Sequence, residues 1–422
     1  MKKTVCTLLA LALAGAAFTS CSKIGGKADA DTAESAGGSG RNTSAVQTSA
    51  QTEEPKDKTA RLTFAAAGDN LIHESIYVEA QSKAAALASS DGYTGQYYFD
   101  SVYSDALRRL ISGADISFVN QESPITGLAA SGYPNFNTPT EAGDALVSMG
   151  FDIVNLANNH MLDMEYTTVG LQKTIDYWKT KDVVQIGGYE SREDLETVRY
   201  IERDGVKIAL LSFTYGTNGY SVNSRSSCVV PLIDDSLITS QIAKAKPNAD
   251  LVFVSMHWGE ENTQTPTAEQ KRLAKLIADA GADAVIGHHS HTVQPIEWVT
   301  GAGGNRTLVI YSLGNFVSTM LKPVNMVGLV VTFDIVKEEN MPAYIDNVQA
   351  VPTVTHYVAD AAVLDSQELP TRSGICVYLM KDYTEAQAKA HGAQLQLPFT
   401  LSTLYGYVTG AVNDEFLPDF LK

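Results

Sequence analysis

The sequence is poor in cysteine and in positive charge. Its four cysteines, at positions 6, 21, 228 and 376, are too few for a disulfide scaffold and lack the C-x2-C spacing of a zinc ribbon. Lys and Arg number 31 against 48 Asp and Glu, so the net charge of -17 argues against a nucleic-acid partner, which needs a basic face. With 44% hydrophobic residues in a chain of 422, we expect one large or two medium globular domains held by an apolar core.

The N-terminus has the pattern of an export signal. Lys2 and Lys3 precede an Ala/Leu-rich apolar run over residues 5–18, which is too short for a membrane span. The run leads into Phe18-Thr19-Ser20-Cys21, which resembles the lipobox of bacterial lipoproteins. We therefore expect residues 1–21 to be a lipoprotein signal peptide, with Cys21 lipidated and the protein extracytoplasmic and anchored to the bacterial cell membrane. The alternative is an ordinary signal peptide cleaved at another position.

Composition divides the rest of the chain. Residues 22–60 are rich in Gly, Ser, Thr, Ala and charged residues, which cannot offset the entropy of ordering, and we interpret them as a disordered tether. Residues 61–360 are expected to form the main domain, and residues 361–422 a C-terminal extension packed on it. Whether Cys228 and Cys376 form a disulfide is left open.

From residue 61 onward, short apolar runs alternate with amphipathic stretches, as in layered α/β domains. The predicted strands are 62–67, 116–120, 153–156, 183–186, 208–213, 251–256, 284–286 and 308–311, followed by 327–336, 345–351 and 354–358 without helices between them. The predicted helices are 102–112, 141–149, 165–180, 235–245, 267–280 and 385–391. The C-terminal strands should therefore be antiparallel, which gives a mixed pair of sheets.

Six of the predicted strands end in polar residues, and these ends define one candidate site. The six segments are Gly68-Asp69-Asn70, Asn120-Gln121-Glu122, Asn158-Asn159-His160, His257-Trp258-Gly259, Gly287-His288-His289-Ser290-His291 and Gly314-Asn315. Ligands of α/β sheets gather at carboxyl strand ends, because side chains converge there on a crevice. Gly68-Asp69 and Asn158-Asn159-His160 are each, taken alone, compatible with an ordinary hydrogen-bonded turn, and Trp258 with either core packing or a substrate platform. The three histidines within residues 288–291 favour a metal site even when taken alone.

The residue types at these ends indicate a metal site. Carboxylate, amide and imidazole groups without cysteine suit zinc, manganese or iron, and five of the eight histidines of the chain lie in these turns. Two neighbouring metal ions need a bridging carboxylate, for which Glu122 and Asp69 are the candidates. His160 could then act as a general acid.

The order of these motifs resembles that of the CapA family of capsule (poly-γ-glutamate) biosynthesis proteins over residues 61–320. That family is similar to the calcineurin-like metallophosphatases. The resemblance implies an α/β, four-layer sandwich of two mixed β-sheets flanked by helices, with two divalent metal ions (Mn, Zn or Fe) at one edge.

The resemblance also implies roles for individual residues. The implied metal ligands are Asp69, Glu122, Asn159, His257, His289 and His291, and His160 is the implied catalytic residue. The superfamily opens with Asp-x-His, whereas Leu71 stands two residues after Asp69, so Asn70 and His73 are candidate replacements. His288 competes with His289 for one ligand place, and Asn120, Glu261 and Asn315 are further site candidates.

We expect a surface-anchored, metal-dependent hydrolase that acts in the synthesis, export or anchoring of a capsular polymer such as poly-γ-glutamate. Its expected partners are an anionic extracellular polymer or its precursor, a membrane polymer-synthesis or export complex, and the membrane through the lipid anchor. The alternative is a non-catalytic accessory lipoprotein of such a complex, which uses the metal fold as a binding platform.

Overall fold

The computed structural model describes residues 59–166 and 169–422. The predicted signal peptide, Cys21 and the predicted tether up to residue 58 lie outside the described residues. Within the described residues no helix combines the length and the apolar character that crossing a membrane requires.

Strands make up most of the regular structure. They are β1 Ala60–Asn70, β2 Ile116–Gln121, β3 Ile153–Asn155, β4 Val184–Ile186, β5 Arg199–Arg203, β6 Val206–Thr214, β7 Leu251–His257, β8 Ala284–His288, β9 Ile296–Thr300, β10 Arg306–Ile310, β11 Asn315–Val317, β12 Val327–Lys337, β13 Tyr344–Leu364 and β14 Pro370–Leu379.

Helices lie between them and at the C-terminal end. They are α1 Glu74–Asp91, α2 Asp105–Ser112, α3 Thr140–Met149, α4 Gly170–Trp178, α5 Arg192–Glu196, α6 Asp235–Ala245, α7 Ala268–Ala280, α8 Glu385–Ala390 and α9 Leu401–Thr409.

The strands form two mixed sheets. The first has the order β14-β13-β12-β1-β2-β3-β4, with β11 also paired to β1; β1 to β4 are parallel, whereas β12, β13 and β14 are antiparallel. The second has the order β5-β6-β7-β8-β10-β9, with β6, β7, β8 and β10 parallel and an antiparallel strand at each edge. The predicted mixed sheets and the antiparallel C-terminal strands are confirmed.

Side-chain alternation along the strands produces the layers. Phe64 of β1 packs edge-on against Phe253 of β7, with ring centroids 5.2 Å apart, so the two sheets share one core. On the other face of the second sheet, Val252 and Val254 of β7 belong to a separate cluster with apolar residues of α6 and α7. Helices α1 and α2 lie against β14 of the first sheet. The four-layer arrangement of helices, sheet, sheet and helices follows from this alternation.

Several predicted boundaries differ from the structure. The helix predicted at 165–180 is wrong at its start, because α4 begins at Gly170, and the strands predicted at 345–351 and 354–358 are one strand, β13. The predicted domain boundary between residues 360 and 361 falls inside β13, and β14 joins the same sheet. Cys228 and Cys376 are both free thiols.

Candidate metal centre

The carboxyl ends of parallel strands in both sheets meet at one edge. In the first sheet Asp69 of β1 is in register with Asn120 of β2, which is in register with Asn155 of β3. In the second sheet His257 of β7 is in register with His288 of β8. The polar strand ends are therefore placed by strand pairing itself, and nearly all of their side chains are buried.

Two groups of three side chains at this edge have the spacing of metal sites, and they share one carboxylate. The groups are Glu122 with His257 and His289, and Glu122 with Asp69 and His291. Within each group the ligand atoms lie within 4.8 Å of one another, and every side chain is buried. A shared carboxylate between two nitrogen-containing groups is the arrangement that a pair of adjacent cations requires.

The two carboxylates of the centre differ electrostatically. Burial opposes ionisation of Asp69, but the rings of His288 and His291, each with Nδ1 3.3 Å from a carboxylate oxygen of Asp69, hold the pKa of Asp69 well below its usual value. Burial and the nearby Asp69 charge raise the pKa of Glu122 well above its usual value. Both carboxylate oxygens of Glu122 are buried without a hydrogen-bond partner. A buried, unpartnered carboxylate is costly unless a cation compensates it, so Glu122 fits a bridging ligand.

The histidines fit the same interpretation. Burial lowers the pKa of His257 well below its usual value and that of His289 to about 3, which keeps both rings neutral with a free lone pair. Nδ1 of each ring is buried without a partner. Burial also opposes charge on His291, but the Asp69 carboxylate, 3.3 Å from its Nδ1, raises the pKa of His291. Imidazoles beside carboxylates are a suitable donor set for zinc, manganese or iron.

The turn after β8 adopts an unusual backbone to present its histidines. His289 and His291 have φ angles of 92° and 54°, in the left-handed region that few residues other than glycine adopt. Such strain tends to concentrate at functional sites. Gly287 precedes this turn, and a Cβ there would lie 2.0 Å from the carbonyl oxygen of Tyr311, so only glycine allows this close approach of the chains.

Asn159 lies against the first group, and His160 lies outside both groups. Asn159 Oδ1 is 2.8 Å from Nε2 of His257, which brings the amide to the edge of the first group. His160 Nδ1 is 2.8 Å from Asp163 Oδ2, and its ring packs edge-on against Phe136. With Nδ1 held by the carboxylate, Nε2 is the nitrogen left to take up or release a proton.

A chain of hydrogen bonds behind the centre connects the two sheets. The Nδ2 of Asn120 donates to Asp69 Oδ1 at 2.8 Å, and the Nδ2 of Asn155 donates to Asn120 Oδ1 at 2.8 Å. Ser212 of β6 donates in turn to Asn155 Oδ1. Asn120 thus contacts the carboxylate of the candidate ligand Asp69 as a hydrogen-bond donor, and the chain of hydrogen bonds fixes the orientation of Asp69.

Asn70 and His73 are the two candidates to replace the histidine that the first motif lacks, and His73 lies outside both groups of three. Asn70 donates to Gln121 Oε1 at 2.7 Å and accepts from the Tyr103 hydroxyl at 2.9 Å, so both ends of its amide are engaged. His73 Nδ1 lies 3.3 Å from the carbonyl oxygen of Leu71, and burial lowers the pKa of His73 to about 3.

The remaining candidates surround the centre. His288 stacks on Phe118 and its Nδ1 lies 3.3 Å from Asp69 Oδ1, while both its ring nitrogens lack a hydrogen-bond partner. Asn315 Oδ1 lies 3.0 Å from His291 Nδ1, where it orients that ring. Glu261 is exposed, outside both groups.

Sequence reasoning missed three side chains that act on the site. Asp163 stands three residues after His160, a spacing that suggests the contact once a turn is assumed. Asn155, the last residue of β3, and Ser212, within β6, are 57 positions apart, and no sequence motif connects them. Trp258 is 1% exposed and donates to the carbonyl oxygen of Tyr311 at 2.9 Å, so its indole is chiefly part of the core.

Comparisons with known proteins agree with the motifs. The family model described as bacterial capsule synthesis protein PGA_cap matches residues 63–320. The PGA biosynthesis protein CapA of Bacillus subtilis (strain 168) is 35% identical over 185 residues, covering 43% of this chain and 47% of the relative. The capsule biosynthesis protein CapA of Bacillus anthracis is 36% identical over 181 residues, covering 42% of each chain. The chain thus spans about half the length of the curated relatives it matches.

Among solved structures, a 5'-nucleotidase precursor from Thermus thermophilus aligns with a TM-score of 0.41 and 11% identity. The alignment covers 69% of this chain and 54% of that one.

Proposed function

The chain belongs to the PGA_cap family of bacterial capsule synthesis proteins, and we propose that it is a metal-dependent hydrolase acting in the synthesis, export or anchoring of a capsular polymer such as poly-γ-glutamate. The bond cleaved would be a phosphoester or a γ-linked amide of the polymer or its precursor. The observation that carries the proposal is the shared Glu122, whose two buried oxygens have no hydrogen-bond partner between two histidine-containing groups.

Five residues would hold two divalent ions: Asp69, Glu122, His257, His289 and His291. Asn159 would complete the first group through the oxygen that now faces His257. When bound, such ions supply Lewis-acid activation of water and of the substrate oxygen.

Other residues of the chain would provide the proton donor and orient the candidate ligands. Asp163 holds Nδ1 of His160 and so directs Nε2 to give a proton to the leaving group. The chain Asn120-Asn155-Ser212 keeps Asp69 oriented, which preserves the spacing of the ligand atoms. The burial of the whole centre excludes water and strengthens each electrostatic contact in it.

The test is hydrolysis by the purified protein loaded separately with Mn²⁺, Zn²⁺ or Fe²⁺. Two probe substrates separate the bond types: p-nitrophenyl phosphate for phosphoesters and a γ-glutamyl anilide for γ-linked amides. We expect turnover of at least one probe with at least one metal, lowered about 10²- to 10⁴-fold by His160→Ala. Absence of turnover with all three metals, combined with full capsule output from a strain carrying His160→Ala, would contradict the proposal.

A second candidate function is supported by one feature of the first motif. Leu71, buried and apolar, stands where the related metallophosphatases have a histidine. The amide of Asn70 is engaged by Gln121 and Tyr103, and His73 belongs to neither group of three. In this alternative the protein is a non-catalytic accessory lipoprotein that binds metal and polymer within an export complex. It predicts metal binding and a capsule defect on deletion, with no loss of capsule when His160 is replaced.

Surface anchoring is part of the proposal and depends on Cys21. Two acyl chains attached there would bind a membrane stably, at about 0.8 kcal/mol per buried methylene. We expect Cys21→Ala to move the protein from the membrane to the soluble fraction. Retention of this variant in the membrane after a high-salt wash would exclude the lipid anchor.

A further inference from the structure

A cavity of about 380 Å³ lies next to the candidate metal centre and shares one wall with it. That wall is Tyr215, which follows β6. Its ring lies 4.5 Å from the ring of His289 and parallel to that of His257, at 6.3 Å. One face of Tyr215 therefore covers two of the candidate ligands, while the residue as a whole is 47% exposed. A group bound in this cavity would lie beside the reacting centre.

The interior of the cavity is apolar and aromatic. Ile233, Trp258 and Leu273 line it together with Tyr215. Trp258 and Leu273 are each 1% exposed and are held in the cluster between the second sheet and its helices. These two side chains are thus packed in the core behind the cavity. The cavity volume lies within the range of small-molecule sites, which accept an apolar body directed by a few polar groups.

The charged residues that line the cavity are all acidic. Glu260 and Glu269 line the cavity, both are exposed, and none of the described residues that line it is Lys, Arg or His. The carboxylate of Glu269 is held by Arg272, with Nη2 2.7 Å from Oε1, so Glu260 carries most of the local charge. This arrangement disfavours an anionic group and favours a cation that can lie over aromatic rings.

We propose that this cavity is a binding subsite for an ammonium group carried on an apolar stem. Its place beside the centre makes it the subsite for an amine-bearing part of the substrate, and this link rests on the proposed hydrolase function. Amine binding itself does not depend on that function, because the cavity contains none of the candidate metal ligands.

Three probes of similar size and different charge test the subsite: 2-phenylethylamine, 2-phenylethanol and phenylacetate. Binding to the purified full chain is followed by intrinsic tryptophan fluorescence, because Trp258 lines the cavity. We expect the amine to bind about tenfold more tightly than phenylacetate, with the alcohol between them, since the acidic mouth attracts one charge and repels the other. Equal binding of the amine and the carboxylate would overturn the proposal. Absence of amine binding at about 10 mM would also overturn it, because a weaker affinity would be too low for a useful binding site.

Glu260→Gln identifies the group responsible, and Glu202→Gln, at an exposed glutamate of β5, is the matched control. Glu260→Gln should weaken amine binding about three- to fivefold and leave the alcohol unaffected, whereas the control should change neither. Equal effects of the two substitutions would contradict the proposal. Amine binding that persists in a protein without hydrolytic activity would separate failure of the proposed function from failure of the subsite.

Discussion

Nδ1 of His160 lies 2.8 Å from Oδ2 of Asp163, and the same carboxylate oxygen accepts the backbone N–H of Phe136 at 2.8 Å. Burial raises the pKa of Asp163, while its hydrogen bond to His160 opposes that shift. The carboxylate thus fixes the ring orientation and the tautomer of His160 from outside both metal-binding groups. It acts as a positioning residue for the proposed proton donor.

Asp163→Asn should therefore lower kcat by about 10- to 100-fold, the usual cost of losing a partner that orients a functional histidine. Metal content should stay near the wild-type value, because Asp163 belongs to neither group. The pH dependence of kcat should shift as well, since the neutral amide no longer stabilises a charged imidazole. An unchanged kcat and an unchanged pH profile would show that the contact is only structural.

The variants His257→Ala and His160→Ala should differ in their metal content. His257→Ala removes a member of the first group, so we expect loss of metal, loss of activity and a lower melting temperature, because bound metal favours the folded state. His160→Ala should lower turnover and keep the metal. Elemental analysis of both purified variants makes the comparison, and a His160→Ala protein without metal would identify His160 as a ligand.

Replacing Asn155 should weaken metal affinity, although Asn155 is not a candidate ligand. Asn155→Ala leaves Asn120 Oδ1 buried without its donor, and Asp69 loses the support behind it. We expect metal affinity about 10- to 100-fold weaker and unfolding easier by about 1 to 3 kcal/mol. Ser212→Ala, one step further from Asp69, should have a smaller effect on affinity. Competition titration with a metal chelator ranks the variants, and equal affinity for all of them would exclude the role given to this chain.

Asp283 gives a pH dependence that is independent of the metal centre. Burial raises its pKa from 3.8 to about 6, although its carboxylate accepts the N–H of Val252 at 2.7 Å. The folded protein therefore holds this proton at pH values where the unfolded chain has released it. The stabilisation that protonated Asp283 gives to the folded protein is fully present below about pH 4, near the reference pKa of an aspartate. This stabilisation is lost as the pH rises to about 6.

Compared with Asp283→Asn, the wild-type protein should therefore lose at most about 3 kcal/mol of unfolding free energy between pH 4 and pH 6. Urea unfolding at several pH values measures this difference. Asp182→Asn, at an exposed aspartate, is the control and should run parallel to the wild type. A constant difference between Asp283→Asn and wild type across this range would contradict the assignment.

The sequence predicted those elements whose signals are local. The capping box of Thr267 and Gln270 and the terminating Gly281 predict α7, and the structure has all three. Helix α1 was missed because Ile76 is the only large residue among its four buried positions, the others being Ser75, Ala80 and Ala84, so the helix has little amphipathic contrast. Strand β13 appeared as two strands because Pro352 interrupts the pattern within it.

For the candidate site too, the sequence predicted some features and missed others. Polar residues at the ends of apolar strands can be recognised from the sequence, since strand register brings such ends together. The contact of Asn155 with Ser212 joins two different sheets, and the cover of Tyr215 over His289 joins two loops. Contacts of that kind depend on how the sheets and loops pack, so no pattern in the amino-acid sequence predicts them.

The central claim is that Glu122 belongs to two groups of side chains that would each hold a divalent ion, and metal stoichiometry tests it most directly. The purified protein, reconstituted with Mn²⁺ or Zn²⁺ and freed of excess metal, should contain two ions per chain by elemental analysis. Glu122→Gln preserves the shape of the side chain but removes the charge that both groups share, so it should retain one ion or none, while Glu202→Gln should retain two. A wild-type protein without bound metal, or a Glu122→Gln protein that still holds two ions, would contradict the account.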